Sequence, residues 1–264
     1  MTTPTAVAFS AATVSATVAG YGEYTTFSDL FSMTGIDSGL KEKVSTFGQF
    51  IAEKMDMVRL YTMVGGATVQ YANDKYTGQG TPLTALLSTD TLDVADIRKV
   101  SLTLKKNKAP KFDAPVGSLN KGGAYRGVLS SQGYFDLLGD STTGAFTAIT
   151  VGTSDSARGD LKNQEIKRIA GIDIMESNQM YTEVSCGAGT AAESAYTNLF
   201  CGKDAVLEID VAGSGNPHIM IEMAKQSVSD PLAQVSVLAA KVDAWACVVA
   251  NAYWLINKKS AGAS

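Results

Sequence analysis

One stripe of apolar residues runs through residues 36–66 and predicts a long helix. Its members follow one another at alternating four- and three-residue steps: Leu40, Val44, Phe47, Ile51, Met55 and Val58. That spacing places them on one helical face, with polar side chains mostly between them. Asp37 is a suitable N-cap, and Gly65-Gly66 is expected to close the helix with a left-handed turn. Such a helix is about 40 Å long, which suggests a scaffold, although a long core helix of an ordinary α+β enzyme has the same pattern.

A second helical pattern starts at Asp93, which is expected to be the N-cap. Leu92 and Ile97 are spaced as a hydrophobic staple, and Asp96 occupies the capping-box position. The predicted buried face consists of Ile97, Val100 and Leu104. Lysines follow at the C-terminal end, where the helix dipole favours cations: Lys105, Lys106 and Lys108. Ala109-Pro110 is expected to end the helix.

Strand-like alternation recurs at residues 125–129, 172–176, 207–211 and 219–223. We expect residues 207–211 to form a half-buried strand, followed by a hairpin-like turn at residues 213–216. Ser130 or Ser131 is expected to cap a short helix after the first of these strands. Residues 232–256 fit both a strand and a helix, and their periodicity leaves both interpretations open.

Small side chains dominate the N-terminal region. Residues 13–19 alternate small polar with small apolar residues and predict an extended strand, whereas residues 27–31 predict a helical turn capped by Ser28. A strand with such small side chains has little core to pack on. We therefore expect it to project and to pair with another segment.

The composition favours a large core and a partly covered surface. Of the 264 residues, 45% are hydrophobic and 18% are charged, where typical soluble domains have roughly 25% charged residues. The net charge of -4 argues against general polyanion binding. Cys186, Cys201 and Cys247 form no CxxC pair, so we expect them to be reduced and buried. Lys241 and Asp243 lie within the most apolar stretch and disfavour a membrane span there.

The sequence predicts no catalytic, cofactor-binding or metal-binding residue and no enzyme activity. His218 is the single histidine, residues 187–189 are only a weak glycine cluster, and none of the common nucleotide-binding or nucleophile motifs occurs. The strand carboxylates are expected to be solvated: Asp173, Glu176, Glu208 and Asp210. The basic run between Lys105 and Lys111 is expected to be a solvated helix end, because no aromatic residues interleave with the lysines as in nucleic-acid sites.

Several short motifs, in this order and spacing, resemble those of a tailed-bacteriophage major capsid protein. They are Tyr21-Gly22-Glu23-Tyr24, Val64-Gly65-Gly66, Asp93-Val94-Ala95-Asp96-Ile97-Arg98-Lys99, Thr103-Leu104-Lys105-Lys106-Asn107-Lys108-Ala109-Pro110, Asn163-Gln164-Glu165-Ile166, Phe200-Cys201-Gly202-Lys203-Asp204-Ala205 and Asp230-Pro231-Leu232. The resemblance covers about residues 12 to 258 and is nearest to the N4-like subgroup.

The resemblance implies an α+β chain with the HK97-type capsid fold and an L-shaped subunit. Residues 1–27 would form the extended loop, as its return strand, with the N-terminal arm missing, processed or reduced. Residues 28–66 and 226–264 would form the peripheral domain, with a spine helix and a long strand, which favours the strand interpretation of residues 232–256. Residues 67–225 would form the axial domain. The family often has His-Pro where this chain has Ser130-Ser131, so no role carries over to that pair.

The implied function is a major capsid protein that assembles as hexamers and pentamers into an icosahedral shell around double-stranded DNA. Its expected partners are neighbouring subunits, contacted through the extended loop, with decoration, portal or scaffolding proteins as further candidates. DNA contact should be weak and non-specific, with no cofactor and no membrane. The protein would be made in the bacterial host cytoplasm and reside in the virion. Two alternatives remain: an encapsulin-like nanocompartment shell, and an α+β enzyme built on convergent strand-end carboxylates.

Overall fold

The structure is a computed structural model that describes residues 13–28, 39–72, 86–113, 123–139, 168–184, 194–211, 216–226 and 232–262. The helices among these residues are α1 (Gly39–Gly66), α2 (Val94–Lys106) and α3 (Ser131–Gly139). The strands are β1 (Ala19–Ser28), β2 (Thr68–Tyr71), β3 (Tyr125–Ser130), β4 (Arg168–Ile169), β5 (Ile172–Ser177), β6 (Thr182–Glu183), β7 (Ala195–Cys201), β8 (Val206–Asp210), β9 (His218–Glu222), β10 (Val235–Val249) and β11 (Leu255–Ala261).

The strands form two sheets. Sheet A has four strands centred on β10, with β1 on one edge and both β8 and β9 on the other, all antiparallel to β10. Sheet B has seven strands in the order β2-β11-β7-β3-β5-β4, and β6 pairs with β7. The chain passes from sheet A to sheet B through a 3-10 turn at Ala252–Trp254, so β10 and β11 connect the two sheets.

The long predicted helix is confirmed, but the reason for its C-terminal glycines is different. α1 has 28 residues, and Asp37 lies outside the described residues. The left-handed turn expected at Gly65-Gly66 is wrong, because the only described glycines with positive φ are Gly123 and Gly171. A Cβ on Gly66 would lie 2.6 Å from a Val249 methyl carbon. Glycine therefore allows the end of α1 to approach β10 closely.

α2 also forms as predicted, apart from its C-terminal end. Asp93 is the N-cap, and its Oδ1 accepts a hydrogen bond from the Asp96 amide at 2.6 Å. The helix ends before Ala109-Pro110 in a Schellman arrangement. The Lys108 amide donates to the Lys105 carbonyl at 3.0 Å, and the Ala109 amide donates to the Leu104 carbonyl at 2.9 Å. Lys108 takes the left-handed position with φ 53°, so it terminates the helix before the proline can.

The core of sheet B contains the predicted face of α2. Ile97, Val100 and Leu104 are fully buried against residues of β3, β5 and β7, among them Phe200 and Ile172. Ser130 caps α3, because its Oγ accepts from the Gly133 amide at 3.1 Å. This resolves the choice between Ser130 and Ser131.

Two strand predictions need correction. β8 and β9 do not form a hairpin: β8 pairs with residues 245–249 of β10 and β9 with residues 237–241, so they follow one another along the same edge. β10 has 15 residues and is long enough to pair with two short strands in succession. The N-terminal strand begins at Ala19 instead of residue 13 and runs through Ser28. Residues 29–31, where the helical turn capped by Ser28 was expected, lie outside the described residues.

The strand interpretation of residues 232–256 is confirmed by β10. Strand pairing crosses the predicted domain boundaries at two places, however. β8 and β9, from within residues 67–225, join sheet A, and β11, from within residues 226–264, joins sheet B.

Candidate assembly surface

Among the described residues, α1 covers one face of sheet A and no helix covers the other. Side chains alternate along β10, because successive residues of a strand point to opposite faces. Leu238, Ala240 and Val242 are buried, whereas Val235 and Lys241 are exposed. The buried residues contact α1 in a small cluster of Phe27, Phe47, Ile51, Leu238 and Ala240.

The opposite face of sheet A, which we call the open face, carries exposed apolar side chains together with the exposed Lys241 and His218. Six of its apolar side chains are each at least 40% exposed: Tyr24, Leu207, Ile209, Val211, Met220 and Val235. The half-buried character predicted for residues 207–211 is therefore wrong for the isolated chain, although the strand itself forms. Contiguous exposed apolar side chains are typical of interaction surfaces.

Sheet A also ends in an unpaired strand. β1 is exposed at every position except Phe27, and no strand among the described residues pairs with its outer edge. Unpaired edge amides and carbonyls favour pairing with another chain. Beside β1, a groove of about 280 Å³ lies between α1 and the sheet, lined in part by Tyr21, Met55 and Trp245.

An ion-pair cluster holds the C-terminal half of α1 to the sheet. Arg59 Nε lies 2.7 Å from Glu208 Oε1, and Arg59 Nη1 lies 2.6 Å from Asp56 Oδ1. The guanidinium lies 5.1 Å from the centre of the Trp245 ring, whose Nε1 donates to Glu208 at 3.3 Å. The hydrogen bond from Arg59 lowers the pKa of Glu208. Glu208 is therefore a structural ion-pair partner of α1, not the solvated carboxylate that we expected.

The other strand carboxylates do not converge on one site. Asp173 pairs with Arg168 in sheet B, whereas Asp210 lies on β8 of sheet A. One open cleft is lined by both Asp56 and Glu176, but Asp56 is held by Arg59. The pair of free convergent acids that the enzyme alternative requires is not formed at this cleft.

The remaining candidate residues are spread over the surface. His218 is exposed at the start of β9, and residues 187–189 lie outside the described residues. Within the described ranges, no cluster of three or more His, Cys, Asp or Glu side chains could hold a metal ion. No described helix has the length and apolar character needed to cross a membrane.

Two of the three cysteines lie in the described part of the chain. Cys201 and Cys247 are free, as predicted, but half-buried, and Cys186 lies outside the described residues. Burial raises the pKa of the Cys201 thiol to about 11, against a smaller opposing effect of Arg126. Because the thiolate is the reactive form, Cys201 is a poor nucleophile.

Sheet B contains a buried ion pair that the sequence pattern did not predict. Lys258 Nζ of β11 lies 2.9 Å from Asp96 Oδ1 of α2, and each side chain is 1% exposed. The sequence pattern assigned Asp96 only to the helix cap. The sequence offers no clear signal for the burial of Lys258, because Asn257, Lys258, Lys259 and Ser260 make most of β11 polar.

No protein-family profile and no curated protein matches this chain. Solved structures do match. The cyanophage Pam1 capsid matches with a TM-score of 0.66 at 13% identity, covering 94% of this chain and 75% of that chain. The capsid of cyanophage P-SCSP1u matches with a TM-score of 0.61 at 14% identity, covering 94% and 74%.

A holo-SrpI encapsulin complex from Synechococcus elongatus also matches, with a TM-score of 0.54 at 6% identity, covering 94% of this chain and 75% of that chain. At such low identity the similarity defines the fold alone. The chain has the α+β, HK97-type fold that phage capsid proteins and this encapsulin share.

Proposed function

We propose that this chain is the major capsid protein of a tailed bacteriophage. It assembles as hexamers and pentamers into an icosahedral shell that encloses double-stranded DNA, and it resides in the virion after synthesis in the host cytoplasm. The shared fold supports a shell-forming role. The observation that carries the proposal is the open face of sheet A, which the isolated chain leaves uncovered.

Exposed apolar surface is unfavourable in water. Burial of apolar area contributes roughly 25 cal/mol per Å², so the open face and the unpaired edge of β1 favour contact with further protein. Closed symmetry lets identical subunits supply that contact to one another. The isolated subunit is then an incomplete unit of a larger structure.

Within this proposal the chain divides as the resemblance implies. Residues 1–27 act as the extended loop that contacts a neighbouring subunit, residues 28–66 and 226–264 form the peripheral domain, and residues 67–225 form the axial domain. The N4-like subgroup depends on the short sequence motifs alone and stays a prediction. Decoration, portal or scaffolding proteins remain candidate partners.

The first experiment is electron microscopy of the purified protein and of a variant lacking residues 1–24. The full chain should form closed shells, whereas the deletion should leave a folded subunit that forms none, because it removes most of β1. Normal shells from the deletion variant would contradict the proposed role of the extended loop.

A point variant covers the case in which the deletion disturbs folding. Met220→Lys places a charge on the open face, where the native side chain is 50% exposed, and should prevent shell formation while the circular dichroism spectrum stays unchanged. Leu102→Lys is the matched control, since Leu102 is 52% exposed on α2, away from sheet A. If both variants assemble equally well, the open face is not an assembly surface.

The alternative is an encapsulin-like shell that encloses a protein cargo, which the SrpI similarity favours. Shells purified from the native source distinguish the two functions. Nuclease-protected double-stranded DNA inside them supports the capsid function, and a stoichiometric enzyme cargo without DNA supports the alternative.

A further inference from the structure

The solvent-exposed side of α2 and residues 107–112, which follow the helix, form an unusually basic surface. Residues 97–112 contain six cations and no acid: Arg98, Lys99, Lys105, Lys106, Lys108 and Lys111. The chain has 22 Lys and Arg against 26 Asp and Glu, so the rest of the chain carries ten more acids than bases. Residues 97–112 are therefore a local region of net positive charge on a protein that is acidic as a whole.

The structure directs most of these cations away from the core. Residues three and four positions apart share a helical face, so Arg98, Lys105 and Lys106 surround the exposed Leu102, opposite the buried face of α2. Both acids that flank the segment have cationic partners elsewhere. Asp96 pairs with Lys258, and Asp113 pairs with Lys203 at 2.9 Å.

The helix dipole explains only part of this pattern. It favours cations in the last turn of a helix, which accounts for Lys105 and Lys106. Arg98 lies in the second turn, and Lys108 and Lys111 lie beyond the C-terminal end at Lys106. The helix dipole therefore accounts for two of the six cations.

Aromatic side chains do not interleave with the lysines in the sequence, but the fold brings one beside them. Asn107, between Lys106 and Lys108, donates from Nδ2 to the Tyr253 carbonyl at 2.8 Å and accepts from Trp254 Nε1 at 3.0 Å. The Tyr253 side chain is 66% exposed. The exposed tyrosine thus lies at the lysine-rich end of α2, and tyrosine hydroxyls are among the groups that hydrogen-bond to DNA phosphates.

We propose that this basic surface of α2 contacts the phosphate backbone of double-stranded DNA. This inference rests on the proposed capsid function and identifies the side of the subunit that faces the packaged genome. Arg98 and Lys106 are about 12 Å apart along the helix axis, and a duplex presents one phosphate charge per about 1.7 Å. Several cations can therefore contact phosphates at the same time, without recognition of the bases. In a shell, the weak contacts of many subunits together increase the total affinity for DNA.

The test measures binding of unassembled subunits to a mixed-sequence duplex of about 30 base pairs, by fluorescence anisotropy between about 50 and 200 mM salt. Wild-type protein should bind with a slope of log K against log salt near −4. Lys105→Glu/Lys106→Glu should weaken binding at least about tenfold and reduce the slope by about two. Lys54→Glu/Lys225→Glu is the matched control, since both lysines are exposed outside the basic surface, and it should retain wild-type binding.

Three results would overturn the inference: no duplex binding by the wild type at low salt, equal losses in the two double variants, or displacement of DNA by polyglutamate at matched charge, which would indicate an acidic protein partner. Shell formation by the same variants, followed by electron microscopy, keeps the two proposals distinguishable. Shells that form normally from a protein without DNA affinity refute only this inference. Absence of wild-type shells refutes the proposed function instead.

Discussion

Sheet A and sheet B bury their helices to very different extents. α1 has 28 residues, yet Phe47 and Ile51 are its only buried side chains among the described residues. α2 has 13 residues, of which six are buried. The core of sheet B is thus closed by the chain itself, whereas sheet A holds a long helix through a few contacts and leaves its other face open.

This difference shows that helix length and apolar periodicity do not measure how much a helix contributes to the stability of one subunit. The apolar stripe of α1 is as regular as that of α2, but it meets a narrow sheet with small side chains such as Ala240. We infer that sheet B supplies most of the stability of the free subunit. In the proposed shell, neighbouring subunits would cover the open face and add to the stability of sheet A.

The largest expected effect comes from matched phenylalanine truncations. Phe200→Ala in sheet B should lower the free energy of unfolding by about 3–5 kcal/mol, the usual range for a fully buried phenylalanine. Phe47→Ala in α1 should cost the free subunit less than half as much, because surrounding side chains and water can fill an open site. Urea unfolding of unassembled subunits measures both values. Equal losses would mean that the two sheets have equally closed cores.

A somewhat smaller effect is expected from the ion pair inside sheet B. Lys258→Met removes the cation that pairs with the buried Asp96 and should destabilise the subunit by about 3 kcal/mol. Asp96→Leu/Lys258→Met should recover much of that loss, because no charge then remains buried. Lys203→Met, which removes the exposed Lys203–Asp113 pair, should leave the urea midpoint unchanged. A double variant less stable than Lys258→Met would contradict this account.

The smallest effect concerns the attachment of α1 to sheet A through Arg59 and Glu208. Arg59 lowers the pKa of Glu208 in the folded chain, so the folded state binds fewer protons than the unfolded state. The stabilisation is therefore present above the ordinary carboxyl pKa of about 4.3 and is lost as the pH falls through the lower folded value.

Glu208→Gln should accordingly lower the thermal midpoint at pH 7 slightly, and the difference from wild type should shrink towards pH 3. Glu176→Gln is the control, since Glu176 is exposed on β5 and no described residue forms an ion pair with it. A wild-type advantage that stays constant down to pH 3 would show that the charge of Glu208 does not stabilise α1.

Local pattern determined much of the fold in advance. The stripe from Val44 to Val58 specified α1, and Asp93 with Ile97, Val100 and Leu104 specified the start and buried face of α2. These features depend on residues that are only a few positions apart. Over such short separations the helix or strand geometry determines which side chains point to the same face. The order of short motifs likewise indicated the capsid fold.

Tertiary structure alone decided which distant residues meet. Arg59 and Glu208 are 149 positions apart, and no periodicity links them. The same holds for Lys258 with Asp96. It also holds for β8 and β9, which both pair with β10 and not with each other. The alternation in residues 207–211 predicted a strand correctly but not its burial. Alternation shows that the two faces of a strand differ in polarity, and it does not show which face is covered by another layer of the structure.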